Sequence, residues 1–208
     1  MLIVVAALKG GVGKTTVAVG LAEAAANEHG SALLVDADPQ ASAMRWSDTA
    51  SEEGSGLRAV TVSLPTRDLR RRLSGIGSSY PVVVVDTPPG QLPIVSAAVD
   101  IADVVVVPSQ TSWSDLDRLD NTLDLARDAR VPALVVLNRV RAGTRSWDEA
   151  TASLEEARVW LAKTALPQRE AIAATYGRRP GSALISLAGE LVAEIEAGVN
   201  SRRKRRRS

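Results

Sequence analysis

Six short runs dominated by Val, Ile and Leu recur along the 208-residue chain: LIVVAAL (residues 2–8), SALLVD (31–36), LRAVTV (57–62), PVVVVD (81–86), ADVVVVP (102–108) and PALVVLN (132–138). Longer stretches of helical period lie between them, such as KTTVAVGLAEAAANE and SDLDRLDNTLDLARDAR. A strand buried on both faces reads as a continuous apolar run, and a return parallel to its neighbour needs a helix-length crossover. The alternation therefore predicts an α/β fold, a doubly wound and mostly parallel β-sheet of six or seven strands flanked by helices. The last third is less regular. A helix is expected over residues 146–161, a short strand near Ala165, a loop at YGRRPGS, and a helix over 184–199 in which Leu184, Leu187, Leu191 and Ile195 share one face. Nothing in the pattern splits a second domain, so one domain over residues 1–200 is expected, followed by a disordered basic tail over 201–208.

Composition narrows the chemistry. The chain has no cysteine, which excludes disulfides, thiol nucleophiles and cysteine-ligated iron–sulfur clusters. No apolar run approaches the roughly 18 residues of a membrane-spanning helix, and the N-terminal run is too short and lacks the basic lead of a secretory signal, so a cytoplasmic location is expected. The formal charge of +1 hides an asymmetry, because RRKRRR at Arg202, Arg203, Lys204, Arg205, Arg206 and Arg207 is a single basic block and the rest of the chain is net acidic. Such a block is either a solvated end or a binder of phosphates.

The segment LIVVAALKGGVGKTTVAVGLAEA reads as strand, glycine-rich turn and helix, the context that a phosphate-binding loop requires. Gly10, Gly11 and Gly13 permit positive φ or close approach to an anion, Val12 lies between them, and successive N–H groups with the start of the helix form an anion nest. Lys14 would reach the β- and γ-phosphates of ATP, Thr15 would offer a hydroxyl to Mg²⁺, and Thr16 would donate to the α-phosphate. The ordinary loop G-x-x-x-x-G-K-[ST] needs glycine at position 8; here position 8 is Leu8, followed by Lys9.

That departure resembles the deviant Walker A motif, K-G-G-x-G-K-[ST]-T, of the ParA/MinD family of P-loop ATPases, and within it the small ParF-like ParA partition proteins. The resemblance implies that Lys9 crosses the interface of an ATP-bound homodimer to touch the partner's phosphates; taken alone it is a solvated lysine. LLVDADPQASAMRW (33–46) resembles the family's second motif, which implies that Asp38 orients the attacking water with Asp36 and Gln40 around it, although Asp38 could instead cap the helix after Pro39. VVVVDTPPG (82–90) resembles the Walker B strand and second switch. It implies that Asp86 holds Mg²⁺ through water, at a strand's carboxyl end where ligands bind in such sheets, and that Thr87, Pro88, Pro89 and Gly90 sense the γ-phosphate. Asn138, ending VVLN, either contacts the adenine edge with its amide or closes a turn.

The family resemblance implies slow, partner-stimulated ATP hydrolysis, nonspecific DNA binding by the ATP dimer, nucleoid association, and a ParB-like centromere-binding or adaptor partner. Arg202 to Arg207 are the first candidates for DNA, with Arg139, Arg141, Arg145, Arg178 and Arg179 behind them. A related ATPase positioning protein cargo would share every motif. A MinD-like membrane ATPase would need an amphipathic C-terminal helix, which the acidic last helix and its purely basic end do not offer, so no stable membrane association is expected. A ligase resembling dethiobiotin synthetase would use ATP without needing Lys9. With no helix-turn-helix ahead of the loop, any reading of DNA sequence is expected to fall to a partner.

Overall fold

The computed structural model describes residues 1–117 and 119–207, the last two by backbone alone. The strands are β1 (Leu2–Val5), β2 (Leu33–Asp36), β3 (Val60–Ser63), β4 (Val83–Asp86), β5 (Val104–Ser109), β6 (Ala133–Val140), β7 (Trp160–Leu161) and β8 (Leu166–Pro167). The helices are α1 (Lys14–His29), α2 (Ser42–Glu52), α3 (Leu69–Ile76), α4 (Leu92–Val99), α5 (Trp113–Leu116), α6 (Leu119–Asp128), α7 (Arg145–Glu156), α8 (Glu170–Ala173) and α9 (Ser182–Arg207). One sheet holds all eight strands in the order β3-β2-β4-β1-β5-β6-β7, with β8 also pairing with β6, and each described pairing is parallel.

Strand residues alternate between two apolar layers, as a period of two requires. Ile3, Val5, Val84, Val104 and Val106 face the layer formed with α1, α2 and α9, while Val4, Val83, Val85, Val105 and Val107 face α3, α4, α6 and α7. The central strands β1, β2, β4 and β5 are thus apolar on both sides, which is why their runs are continuous rather than alternating. The chain leaves β1 toward β2 on one side and later returns to place β5 on the other. The crevice at the carboxyl end of β1 is therefore a topological switch point, where open α/β sheets bind ligands.

Two expectations are corrected at the C-terminal end. The helix foreseen over 146–161 stops at Glu156; Arg158 turns left-handed at φ 53°, and Trp160–Leu161 become edge strand β7, bringing the strand count to eight. The last helix does not end near 199. It continues through the basic block, because Arg203 pairs with Asp103 at 2.6 Å and the Arg202 guanidinium lies 5.4 Å from the centre of the Trp160 ring, which anchors the final turns to the body. The expected apolar face is present: Leu184, Leu191 and Ile195 are buried, with Leu187 partly so.

Candidate functional site

Three loops meet at the carboxyl ends of β1, β2 and β4. Register brings them together, since Val5 pairs with Asp86 and Asp36 also pairs with Asp86 across adjacent strands. Between β1 and α1 the chain turns through Gly11 at φ 80° and Gly13 at φ 90°. At Gly13 a Cβ would also collide with the side-chain nitrogen of Asn138, so glycine is required there by backbone and by space. The Lys14 ammonium donates to the Lys9 carbonyl at 3.1 Å, which holds it across the loop. Burial pulls the Lys14 pKa below the usual lysine range, while the carboxylates of Asp86 and then Asp38 oppose that shift. Gly10 packs near Pro89 of the loop after β4; Thr15 and Thr16 follow on the first turn of α1, both half-buried.

The acidic groups divide into a brace and two free-facing carboxylates. Asp36 accepts the backbone N–H groups of Asp38 (3.0 Å) and Met44 (2.8 Å), so it shapes the loop between β2 and α2. Burial raises its pKa, against those hydrogen bonds. The Asp38 carboxylate accepts, among the described residues, the Gln40 N–H alone, at 2.9 Å, in a local turn. It does not cap α2, which begins at Ser42 with Ala41 at the N-cap position, so the capping alternative for Asp38 is set aside. Asp86 is 1% exposed. Burial pushes its pKa up to about 7; a hydrogen bond from the Thr15 hydroxyl acts the other way, and the nearby Asp36 carboxylate adds to the rise. One Asp86 oxygen is buried without a hydrogen-bond partner. An orphaned carboxylate oxygen beside a threonine hydroxyl and two further carboxylates is a set of hard oxygen donors of the kind Mg²⁺ takes. Thr87 is committed elsewhere, its hydroxyl donating to the Val5 carbonyl at 2.9 Å.

Asn138 and Lys9 take places that the sequence pattern does not reveal. The Asn138 amide is 3% exposed and lies behind the loop, donating to the Val12 carbonyl at 2.8 Å and accepting the Arg139 N–H at 2.9 Å. Its polar atoms face backbone here, as a turn-closing amide would. The Lys9 ammonium reaches α5 of its own chain, where it pairs with Asp115 and lies 3.5 Å from the Ser114 hydroxyl. Ser112 donates to the same carboxylate, and Asp115 is almost completely buried. Asp115 went unrecognised in the sequence; the Ser-x-x-Asp spacing in SWSD was its one signal.

The arginines offered to DNA are partly occupied. Arg178 pairs with Glu53 at 2.9 Å, Arg179 donates to the Gly56 carbonyl and lies 3.8 Å from Glu23, and Arg145 pairs with Glu149 at 2.7 Å. Arg139 donates to the Gly11 carbonyl, while Arg141 is exposed. Of the terminal block, Arg202, Arg203, Lys204 and Arg205 are exposed; the side chains of Arg206 and Arg207 lie outside the described residues. Beside this block runs a groove of about 1200 Å³ whose lining includes Arg127, Arg130, Lys163, Arg202, Arg203 and Arg205. It opens at the amino ends of β5 and β6, the opposite end of the sheet from the phosphate loop. Arg127 and Arg130 lie together at the end of α6, and the fold brings Lys163 and the terminal block to them.

Compared with known proteins, residues 3–180 match the CobQ/CobB/MinD/ParA nucleotide binding domain. Maintenance of carboxysome distribution protein A from Gloeobacter kilaueensis is 38% identical over 183 residues, 86% of this chain and 79% of that protein. An aspartate-to-alanine form of Cyanothece McdA in complex with ATP superposes with a TM-score of 0.72 at 18% identity, covering 94% of this chain and 96% of that one. The pNOB8 ParA bound to nonspecific DNA gives 0.62 at 17% identity, over 76% of this chain and 75% of that one. At these identities the structural likeness speaks for the fold. Among the described residues, no helix is long and apolar enough to cross a membrane.

Proposed function

Because the chain belongs to the CobQ/CobB/MinD/ParA family of nucleotide-binding domains, we propose that it is an ATPase that dimerises on ATP, binds DNA nonspecifically as a dimer, and distributes a cargo along it. The observation that carries this reading is the convergence of Lys14, Asp38 and Asp86 around the glycine loop, with a second lysine, Lys9, at its rim. Lys14 offsets charge on the transferring phosphoryl group, and Asp38, whose carboxylate has a single backbone partner, orients water for in-line attack. Asp86 and Thr15 would hold Mg²⁺, which supplies further charge neutralisation when bound. Lys9 leaves Asp115 to complete the partner subunit's site, so that ATP and dimerisation become one event.

The cargo reading follows a relative that matches 86% of this chain and whose name states the maintenance of carboxysome distribution: a large intracellular body is the first reading of the cargo. A plasmid or chromosome, recruited through a ParB-like protein, is the second reading, favoured by the likeness to a ParA bound to nonspecific DNA. A membrane role is disfavoured by α9 itself. Its apolar residues Leu184, Leu191 and Ile195 are spent against the core, and Glu190 and Glu194 bond to Thr164 and the Lys163 backbone.

Sizing and DNA binding with ADP, ATP and a nonhydrolysable analogue test the proposal for the wild type, Lys9→Ala and Asp38→Ala. Asp38→Ala is expected to remain as an ATP dimer on DNA, and Lys9→Ala to stay monomeric; identical behaviour of all three proteins sinks the switch. Replacing Arg202, Lys204 and Arg205 with Gln is expected to reduce the log–log salt slope of DNA affinity by about 3 if each neutralises one phosphate.

A further inference from the structure

Among the described residues, four that are not glycine have positive φ: Ala41, Arg130, Arg139 and Arg158. Three of them lie at helix ends or in connections. Arg139, at φ 54°, is the one inside a strand. β6 pairs with β8 through Asn138 with Leu166 and Val140 with Pro167, with a register shift between them, so Arg139 is the extra residue of a bulge. Its backbone occupies a region that glycine enters freely and a side chain enters at a cost. Such strain clusters where a side chain must be aimed at a functional site.

The aim is visible. The Arg139 guanidinium donates to the Gly11 carbonyl at 3.3 Å, beside the Asn138 amide on the Val12 carbonyl at 2.8 Å. These are consecutive peptide groups of the phosphate loop. In a trans peptide the C=O and the following N–H point in opposite directions. Fixing the carbonyls of Gly11 and Val12 on one side therefore turns the N–H groups of Val12 and Gly13 to the other, the arrangement of an anion nest. The two clamps differ in kind, since the Asn138 amide is buried and neutral while Arg139 is exposed and charged.

We infer that Arg139 is a positioning residue of the nucleotide site: the bulge in β6 aims its guanidinium at the Gly11 carbonyl and so presets the phosphate loop for a polyphosphate. The inference rests on the reading of this loop as an ATP site. It separates stability from binding, because glycine at 139 relieves the backbone while removing the clamp.

The test measures melting temperature without nucleotide and affinity for fluorescent ADP and ATP, for the wild type, Arg139→Gly and Arg139→Lys. Arg139→Gly is expected to melt at or above the wild-type temperature and to bind both nucleotides about tenfold more weakly, the scale of one charge-assisted hydrogen bond. Arg139→Lys is expected to recover part of that affinity. Binding by Arg139→Gly within twofold of wild type overturns the inference, as does a lowered melting temperature that accounts for weaker binding and is restored by lysine. A wild-type protein that binds neither nucleotide overturns the underlying site reading instead.

Discussion

Asp86 is held in the folded protein at a pKa of about 7, against 3.8 for an ordinary aspartate, chiefly by burial. Its folded-state pKa is raised, so its contribution to stability is fully present below the unfolded pKa and is lost as pH rises through about 7. Three pKa units at 1.36 kcal/mol each set an upper limit of about 4 kcal/mol. Between pH 5 and 8.5 the calculated loss is about 2 to 3 kcal/mol, because part of it has already occurred by pH 5. Asp86→Asn keeps the shape and an acceptor for Thr15 but cannot ionise. Its stability relative to wild type should therefore rise by about 2 to 3 kcal/mol over that interval and level off above pH 8. The assay is urea unfolding of nucleotide-free protein in EDTA at pH 5, 6, 7 and 8.5. Glu23, also shifted upward by burial, occurs in both proteins and cancels in the difference, whereas Asp36 and Lys14 are coupled to Asp86 and contribute to that difference. Parallel stability curves for the two proteins would refute the reasoning, because they would mean that Asp86 is already ionised across the range.

Three further substitutions probe the rest of the design. Asp115→Asn removes the charge that holds Lys9 within its own chain; a part-buried pair of this kind is worth about 1–2 kcal/mol and two open per dimer, so sedimentation with a nonhydrolysable analogue should show a dimer roughly 30- to 900-fold tighter, and an unchanged or weaker dimer contradicts the latch. Gly13→Ala meets both positive φ and the Asn138 amide, so it should cost more than about 2 kcal/mol in unfolding, and adding Asn138→Ala should return only the part due to collision. Gly198→Ala would drive a Cβ into the Trp160 ring; a loss of about 1–3 kcal/mol, a changed tryptophan emission and weaker DNA binding are expected, whereas an unchanged melt refutes the close packing.

Much of the fold could be read directly because its signals are local. Six of the eight strands announce themselves as apolar runs, and the phosphate loop carries its requirements within eight residues, where each glycine and lysine acts on its immediate neighbours. β7 could not be read this way, and β8 only as the short strand expected near Ala165. Two-residue strands have no periodicity of their own and exist only because β6 offers an edge. The helical course of the basic end is not local either, since its contacts are to Asp103, about a hundred residues from Arg203, and to Trp160, about forty from Arg202.

The sequence by itself determined the doubly wound sheet and the glycine loop, because apolar periodicity and the conformational needs of a phosphate loop act over a few residues; Lys9, Lys14, Asp38 and Asp86 were singled out as candidates by the motifs they resemble. Tertiary structure alone decided how those groups are used. It set Asp86 beside Asp36 by strand register, turned Asn138 and Arg139 onto the loop through a bulge, parked Lys9 on Asp115, and gathered Arg127, Arg130 and Lys163 beside the terminal helix. The reason is physical: burial, charge proximity and hydrogen-bond partnership depend on distance in space, and residues more than a hundred positions apart in the chain become neighbours only when the sheet has formed.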